Sequence, residues 1–466
     1  MTLPSRAWIP ITAYAGTIAA GVGVFLLICT FGETLSAPPP EIGTTVGVGT
    51  STGTGHALFH VLLALAAVIA LGRVLGKAFT WIGQPAVIGE IVAGILLGPS
   101  LLGRISPEAM QFLLPKDAAG HLGIIAQLGA ILYMFIVGLE LNTGQVRSLA
   151  RSVVAISFAG LIGPFIVGMA LALWLYPRFS NSSVPFLSFS LFVGIAVAIT
   201  AFPVLARILK ERQLDATRVG VTALGAAALA DVVAWCLLAV VVGVARESMD
   251  GALQTILWAT LCVAGMLLIL RPLVNRFVRL HENSSPTSPS TGTIAFVILG
   301  VFLVALTTEW IGVHALFGAF LFGALIPHES KLAKGVSLKL SDAVGVVLLP
   351  AFFAFTGLRT EIGLLQTTSD WITCAGIVSV AYAAKFGSAL LASRCTGHGW
   401  RNSAAIGVMM TTHGLMELIV LNIGLDLGVI SPTLFAMMVV MALVTTMMTA
   451  PLLRVLLPRD ARIDIA

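Results

Sequence analysis

The sequence predicts an all-α polytopic membrane protein with about 13 to 14 transmembrane helices in inverted repeats. Three observations carry this prediction. Hydrophobic residues make up 58% of the 466-residue chain and charged residues only 10%, whereas soluble domains carry about 25% charged residues. Fourteen apolar runs approach the roughly 17 to 25 residues that cross a hydrocarbon core of about 30 Å. The Lys and Arg residues are also distributed asymmetrically between the loops.

The first apolar run, residues 12–31, has two interpretations, an extra N-terminal helix or a cleaved signal peptide. It is longer than a usual signal-peptide core, and Leu35 is a poor residue three positions before a cut, so the extra helix is favoured. In chain order the predicted spans are 12–31, 56–79, 85–103, 118–139, 149–176, 184–209, 217–245, 251–280, 293–308, 311–327, 342–358, 372–395, 404–426 and 431–457.

These spans suggest three parts of the chain. Residues 1–55 form the extra helix and an external loop, residues 56–457 form the membrane domain, and residues 458–466 form a short cytoplasmic tail. The Ser/Pro/Thr-rich loop near the middle is expected to be a flexible linker between two halves. The halves are 56–245 and 293–457, joined by the helix 251–280 and the loop 281–292.

The positive charges predict the orientation of the chain. With the N-terminus inside, the inner loops and span ends hold twenty of the 26 Lys and Arg residues and the outer ones five, which leaves Lys385 within a span. Both termini are therefore expected in the cytoplasm, with the protein in the inner or plasma membrane. The net charge of +5 indicates contact with anionic membrane lipid, and no nucleic acid partner is expected.

Two predicted spans are interrupted. Pro203 lies inside 184–209, where it removes a backbone hydrogen bond. A polar stretch containing Thr412, His413 and Gly414 interrupts 404–426. Irregular backbone at membrane depth persists only where it is buried in protein or lines a wet cavity. A pair of interrupted spans, one in each half, indicates the binding site of a transporter built from inverted repeats.

Three charged residues lie deep within apolar runs. Lys385 is central in 372–395, Asp231 in 217–245 and Glu417 in 404–426. A charge at this depth costs roughly 2.5 to 3.5 kcal/mol even on the scale derived from insertion experiments. Each of these residues is therefore a candidate functional group, and the competing interpretation is a buried structural polar residue.

Five motifs follow one another along the chain: Gly83–Ile91, Gly94–Pro99, Thr200–Arg207, Ala230–Trp235 and Gly414–Asn422. In this order they resemble the monovalent cation/proton antiporter-2 family, in particular the plant cation/H+ exchangers and bacterial Na+(K+)/H+ antiporters. The resemblance covers about residues 56–457. It implies a sodium/hydrogen exchanger fold with thirteen helices, a homodimer, and two crossing, unwound helices formed by 184–209 and 404–426.

The resemblance also implies residue roles. Asp231 is expected to bind the cation and the proton in turn, with Thr200 in the same ion site. Electrogenic relatives usually carry a second Asp before this position, but this chain has Ala230, which favours an electroneutral exchange. Lys385 matches the family's membrane-embedded lysine and lacks that usual partner, so carrier, counter-ion and structural strut all stay open.

Three residues have two interpretations each, and two others are expected to form a pair. Glu417 is a candidate ion- or proton-binding residue that either lines the cavity or accepts hydrogen bonds from the freed amides of the first broken helix. His413 is either a pH-responsive group or a neutral hydrogen-bonding histidine. Glu90, near the cytoplasmic mouth, either packs or attracts ions. Arg359 and Glu361 are expected to form an external interface pair.

The sequence shows no catalytic nucleophile with a base, no Walker loop and no metal-ligand spacing, so neither an enzyme nor a cofactor nor a nucleotide-binding regulatory domain is expected. The predicted function is a secondary active transporter that exchanges Na+ or K+ for protons by alternating access. The alternatives are a channel-like K+ efflux protein and an organic solute carrier on the same fold.

Overall fold

A computed structural model describes residues 8–35, 54–140, 149–245, 249–284, 289–312 and 314–457. Most of the predicted external loop before residue 54 and the predicted tail 458–466 lie outside these ranges. The described chain folds into helices, and neighbouring helices pack along the membrane-spanning direction. Residues 281–284, which were expected to begin the flexible linker, belong instead to the end of a helix.

The helices are numbered here in chain order. At two places a π-helical turn, Met266–Leu270 or Val344–Leu348, joins two helices into one longer rod. The α-helices are α1 Trp8–Gly32, α2 Thr54–Trp81, α3 Ala86–Leu97, α4 Leu102–Ile105, α5 Pro107–Leu113, α6 Lys116–Leu139, α7 Ala150–Phe179, α8 Phe186–Ala198, α9 Phe202–Glu211, α10 Arg218–Ala245, α11 Met249–Gly265, α12 Arg271–Ser284, α13 Thr291–Ile311, α14 Ala315–Leu325, α15 Lys331–Ala343, α16 Leu349–Leu358, α17 Thr368–Cys395, α18 Trp400–Met410, α19 Leu415–Asp426 and α20 Pro432–Leu456.

Side chains at the helix starts explain several of these boundaries. Thr367 and Asp370 form a capping box at the start of α17, in which each side chain accepts a hydrogen bond from the other residue's backbone N–H. Ser330 and Ser431 cap α15 and α20 with one hydrogen bond each, in which the serine side chain accepts from the backbone N–H three residues later. These caps satisfy amides that have no partner within their own helix.

The predicted polytopic helical fold is confirmed. In the described part of the chain, 10 helices are long and apolar enough to cross a membrane. Three shorter apolar helices are described at Ala20–Gly32, Phe186–Ala198 and Ala315–Leu325. The two spans predicted to be broken are each two helices, α8 with α9 and α18 with α19. The predicted span 342–358 begins earlier, because α15 and α16 form one continuous rod from Lys331.

The helices pack as two bundles. The core bundle consists of α7 to α10 and α17 to α20, with α7 against α8 and α17, and α10 against α18. The wall bundle consists of α2, α3, α6 and α13 to α16, with α6 against α14 and α16, and α3 against α2 and α16. The rod of α11 and α12 contacts both bundles, since α11 packs on α10 and α12 packs on α15.

Glycines bring helices of the wall bundle into backbone contact. A methyl group added at Gly138 of α6 would overlap the carbonyl oxygen of Phe320 on α14. One added at Gly357 of α16 would lie 2.5 Å from the carbonyl carbon of Gly94 on α3. Small residues permit this approach between membrane helices, where van der Waals packing and backbone proximity drive association.

Candidate ion-binding site

The two broken spans meet at their breaks. The first break, Ile199–Thr200–Ala201, separates α8 from α9, and the second break, residues 411–414, separates α18 from α19. The Ala201 N–H donates to the Thr412 carbonyl oxygen at 2.9 Å. The Thr200 hydroxyl donates to the Met410 carbonyl oxygen at 3.1 Å. Backbone groups freed from the helices are therefore satisfied partly by each other, as buried backbone at membrane depth requires.

Asp231 lies fully buried on α10 beside the start of α9. Neither of its carboxylate oxygens has a hydrogen-bond partner among the described residues. The backbone N–H of Phe202, in the first turn of α9, points toward this carboxyl group without completing a bond of normal geometry. A helix N-terminus favours negative charge through its dipole and its unpaired amides. The arrangement leaves a carboxylate available to a small cation or a proton.

Pro203 occupies the first turn of α9. A proline is tolerated there because the N–H it lacks would have no partner within the helix. Pro203 was predicted to interrupt its span, and the structure agrees: α8 ends and α9 begins just before this proline. The proline thus marks the end of the first break and the start of the helix whose N-terminus faces Asp231.

Lys385 connects both breaks from α17 and is completely buried. Its Nζ donates to the carbonyl oxygen of Ile199 in the first break, and it lies 3.4 Å from Nε2 of His413 in the second break. Asp231 and Glu417 are the two acidic residues whose charges act on it. The ammonium group therefore sits among a carbonyl, an imidazole and two carboxyl groups.

The hydrogen bonds of His413 assign its tautomer. The Thr445 hydroxyl donates to the Met441 carbonyl oxygen at 2.8 Å, so it accepts from His413, whose Nδ1 lies 2.8 Å away. The Nδ1 atom then carries the hydrogen, and Nε2 is free to accept from Lys385. This geometry corresponds to a neutral, hydrogen-bonding histidine, the second of the two interpretations of this residue.

Thr446 of α20 holds the second break at its backbone. Its hydroxyl accepts from the His413 N–H at 3.0 Å and donates to the His413 carbonyl oxygen at 2.8 Å. Gly414 follows, with its Cα against Val204 of α9, where an added methyl group would lie 2.6 Å from a valine methyl carbon. The second break is therefore fixed by α20 on one side and pressed against α9 on the other.

Glu417 lies in the first turn of α19 and is fully buried. Both of its carboxylate oxygens lack a hydrogen-bond partner within the described ranges, and Oε2 is 4.0 Å from Nε2 of His413. The expected hydrogen bonds to the freed amides of the first break are thus not formed, because those amides are directed elsewhere, as at Ala201. Glu417 is a second unpaired carboxyl group close to Lys385.

A cavity of about 790 Å³ leads toward this region from the side of the molecule that carries most of the Lys and Arg residues. We call this the inner side and the opposite one the outer side. Phe202 lines the cavity, and its N–H faces Asp231, so this residue lies between the cavity and the carboxyl group. The cavity runs between the bundles and is lined by residues that include Leu139, Glu140, Ala206, Lys210, Asp215, Leu224, Gly225, His328, Glu329, Ala333 and Lys334.

The mouth of the cavity carries charges of both signs. The Lys334 Nζ donates to Oε2 of Glu329 at 3.1 Å, and this hydrogen bond lowers the pKa of the exposed Glu329 below its ordinary value. Glu329 therefore stays ionised at neutral pH. Exposed pairs of this kind contribute little to stability, so the main effect of this pair is on the local electrostatic field.

Glu90 is not part of the group formed by Asp231, Lys385, His413 and Glu417. It lies on α3 of the wall bundle, where its backbone packs beside Gly72 of α2. The charges that act on it are those of Arg207 and Arg73. It is not among the residues that line the inner cavity, so a role at the cytoplasmic mouth stays a prediction.

Sequence reasoning missed Thr445 and Thr446. Threonine is common within apolar helices, so neither residue stands out by hydropathy, and only their spacing from His413 in three dimensions identifies them. The expected pairing of Arg359 with Glu361 is wrong. Arg359 hydrogen-bonds the carboxylate of Asp426 and the amide oxygen of Asn422.

The chain is similar to known cation/proton antiporters along most of its length. The family described as sodium/hydrogen exchanger, transmembrane, matches residues 45–457. The Na(+)/H(+) antiporter NhaS4 of Synechocystis sp. is 39% identical over 408 residues, which cover 87% of this chain and 99% of that protein. The K(+)/H(+) antiporter 1 of Saccharomyces cerevisiae is 33% identical over 82% of this chain and 45% of its own length.

The Arabidopsis thaliana protein named cation/H(+) antiporter 17 is 37% identical over 90% of this chain and 51% of that protein. This chain thus spans about half the length of these plant and yeast relatives. Among solved structures, the sodium proton antiporter MjNhaP1 of Methanocaldococcus jannaschii matches with a TM-score of 0.64 at 15% identity, over 88% of this chain and 99% of that one. The fold, the family match and the relatives agree with the resemblance found in the motifs, and the chain belongs to the sodium/hydrogen exchanger family.

Proposed function

We propose that this protein exchanges a monovalent cation, Na+ or K+, for protons, and that Asp231 carries the two ions in turn. The observation that carries this proposal is the Asp231 carboxyl group, buried beside the start of α9 with both oxygens unpaired in the described structure. The relatives are named as Na+/H+, K+/H+ and cation/H+ antiporters, which supports exchange of a monovalent cation.

The chemistry follows from one site with two competing ligands. A carboxylate in a partly desolvated place holds either a proton or a monovalent cation, and binding of one displaces the other. When Asp231 faces the inner side, a cytoplasmic cation replaces the proton, which leaves through the cavity. When the core bundle has moved and Asp231 faces the outer side, an external proton replaces the cation. Competition at Asp231 is the coupling between the two fluxes.

Lys385 acts as the counter-ion in this scheme. Its ammonium group compensates the carboxylate of Asp231 when that residue is empty, and its hydrogen bonds to the Ile199 carbonyl and to His413 hold it between the breaks. Thr200 contributes by fixing the first break to Met410. Its hydroxyl oxygen retains lone pairs that are available to a cation beside Asp231.

The exchange is electroneutral in this proposal. Ala230, in the position where electrogenic relatives usually have a second Asp, is a small buried residue that binds no ion. Glu417 is a second carboxyl group whose charge acts on Lys385 in the described structure, and in this scheme it keeps one protonation state throughout the transport cycle. An imposed membrane potential that changes the reversal condition of transport would instead indicate that a second proton carrier takes part.

We also place the protein in the inner or plasma membrane as a homodimer with both termini in the cytoplasm. The asymmetry of Lys and Arg supports the orientation. The wall bundle presents large apolar side chains on α2 and α13, such as Phe59 and Phe296, which support membrane lipid or a second copy as the neighbour of this face.

The test is proton flux in proteoliposomes under an imposed pH gradient, with Na+, K+, Li+ or Rb+ added. Asp231→Asn removes the exchangeable charge with little change of shape, so we expect cation-dependent proton flux to fall to the level of empty liposomes. The matched control is Asp215→Asn, the same change at the mouth of the cavity, which we expect to retain more than half of the rate. Exchange that survives in Asp231→Asn at the wild-type rate excludes Asp231 as the carrier.

A further inference from the structure

We propose that two contacts between the bundles form the outer gate of the ion path. The first, here called the plug, is the contact of Trp235 on α10 with His314 at the start of α14. The second, the clasp, joins Thr356 and Arg359 of the wall bundle to Asn422 and Asp426 of the core bundle. This inference rests on the proposed function, because it assumes an ion path that passes Asp231.

The position of the plug along α10 places it on the outer side of Asp231. Residues of α10 that line the inner cavity, such as Leu224 and Gly225, precede Asp231 in the helix. Trp235 follows Asp231 by one turn, which is about 6 Å along the axis at about 1.5 Å per residue. The cavity and the plug therefore lie on opposite sides of the carboxyl group.

The rings of the plug are close and largely shielded from solvent. The centroids of Trp235 and His314 are 6.0 Å apart, and Trp235 is 2% exposed. Trp235 belongs to the core bundle and His314 to the wall bundle, so the contact can last only while the bundles hold their present relation. An aromatic side chain of this size fills the space through which a hydrated ion would have to pass.

Two polar atoms of the plug are unsatisfied. Nε1 of Trp235 and Nδ1 of His314 are both buried, and neither has a hydrogen-bond partner in the described ranges. A buried donor without a partner is unfavourable, and contact with water relieves that penalty. Opening the outer side would hydrate both atoms. The plug is thus closed by packing, and hydration of these two atoms favours its opening.

The clasp lies farther out, at the far end of the rod that begins with Lys331. This rod runs from the cavity wall, which includes Lys334, to Leu358 at the end of α16. Just beyond it, Nη1 of Arg359 donates to Oδ1 of Asn422 at 3.0 Å, and Arg359 also pairs with the carboxylate of Asp426.

The buried half of the clasp is the Asn422 side chain. It is 9% exposed, and its Nδ2 donates to the Thr356 hydroxyl at 3.3 Å while its Oδ1 accepts from Arg359. Movement of the core bundle would separate both partners from Asn422 together. Because Asn422 and Asp426 are in α19, the clasp connects the second crossing helix directly to the wall bundle, so ion-driven movement of α19 and opening of the outer side are one event.

The inference predicts that weakening the clasp moves the protein away from the inward-open state. The probe is Ala206→Cys, at a residue that lines the inner cavity, and it is labelled in inside-out vesicles with a membrane-impermeant maleimide. Labelling is quantified by mass spectrometry on the peptide that contains residue 206, so the native cysteines stay in place. Adding Arg359→Gln is expected to reduce the labelling rate at least threefold.

The matched control is Arg104→Gln. Arg104 also lies on the outer side, but it bonds to the Gly363 carbonyl oxygen at 2.9 Å, and neither residue belongs to the clasp. Its loss removes an outer arginine contact and leaves the four clasp residues in place, so labelling at residue 206 is expected to stay at the wild-type rate. Equal labelling in Arg359→Gln and wild type, or an equal fall in the control, overturns the assignment of the clasp.

A second measurement tests the plug by leakage. Trp235→Ala removes the ring between Asp231 and the outer side, so we expect an imposed pH gradient to collapse at least threefold faster without any added cation. Trp258→Ala, on the half-exposed face of α11, is the control and is expected to leave the gradient intact. Wild-type retention of the gradient in Trp235→Ala contradicts the plug.

Failure of the gate and failure of the proposed function are distinguishable. If the proposed function is wrong, wild-type protein shows no cation-dependent proton flux, or Asp231→Asn keeps it. If only the gate is wrong, wild-type flux and its loss in Asp231→Asn persist, while the clasp and plug variants behave like their controls.

Discussion

The two breaks differ in what holds them. The first break, at residues 199–201, is apolar apart from Thr200 and receives its contacts from the second break and from Lys385. The second break contains Thr412 and His413, and Thr446 of α20 fixes it through both backbone groups of His413. The first break is therefore held by the second break, α18 and Lys385, whereas the second break is anchored at its backbone by α20.

This difference indicates separate tasks. The helix that follows the first break directs its N-terminus at Asp231, so small movements there change the field at the carboxyl group. The second break supplies a fixed surface, with the Thr412 carbonyl and His413 in set positions, against which the first break and Lys385 are aligned. Substitutions where the two breaks touch should therefore reduce the transport rate most. Substitutions of Thr446, which anchors the second break, should lower stability as well.

The largest effect is expected where the two breaks press together. Gly414→Ala places a methyl carbon 2.6 Å from a methyl carbon of Val204 on α9, so the second break must move away from the first. A displacement of about 1 Å at a reacting centre reduces rates by about 100-fold, and we expect a loss of this order in proteoliposome exchange. Gly376→Ala, in α17 with no atom near the added methyl group, is the control. A Gly414→Ala protein with normal exchange would show that the two breaks need not touch.

A smaller effect is expected for Lys385→Met. The change keeps most of the length of the side chain and removes the positive charge that acts on Glu417 and Asp231, so the empty carboxylate of Asp231 loses its counter-ion. We expect exchange to fall by about tenfold, equivalent to roughly 1.4 kcal/mol, and its pH dependence to change. Residual exchange measured from pH 6 to 9 tests this; complete loss in a well-folded protein would make Lys385 a carrier instead of a counter-ion.

The smallest effect on transport is expected for Thr446→Val, which removes both anchors of the second break. Each lost hydrogen bond contributes about 1 kcal/mol to stability, so the melting temperature of the detergent-solubilised protein should fall by several degrees, with exchange reduced by about threefold. Thr307→Val is the control, since the Thr307 hydroxyl only bonds within its own helix at an exposed position. If exchange falls by much more than threefold while the melting temperature stays at the wild-type value, Thr446 does not anchor the second break.

Much of the fold followed from the sequence because hydropathy in a membrane is a strong constraint. Spans of Leu, Val, Ile and Ala are unambiguous, and Pro203 and Gly414 interrupt them where the structure has its breaks. The charges at Asp231, Lys385 and Glu417 stood out for the same reason. The structure brings all three close to the breaks, a grouping that their spacing in the sequence does not contain.

Partners were less predictable than positions. Arg359 was expected to pair with the nearby Glu361, but it pairs with Asp426, which is distant in sequence. Thr446 and Trp235 gave no signal of their own, since threonine and tryptophan are ordinary residues of membrane helices. These contacts depend on how two bundles are oriented, and hydropathy in a single chain carries no information on that orientation.

The glycine contacts of the wall bundle have a mechanical consequence. Gly138 on Phe320 and Gly357 on Gly94 bring main chains together, so these helices resist sliding past one another. We therefore expect the wall bundle to stay fixed during the proposed exchange while the core bundle moves against it. A thinner or thicker bilayer would then be accommodated at the junction between the two bundles, and turnover should vary with lipid acyl length even though Asp231, the proposed carrier, is fully buried.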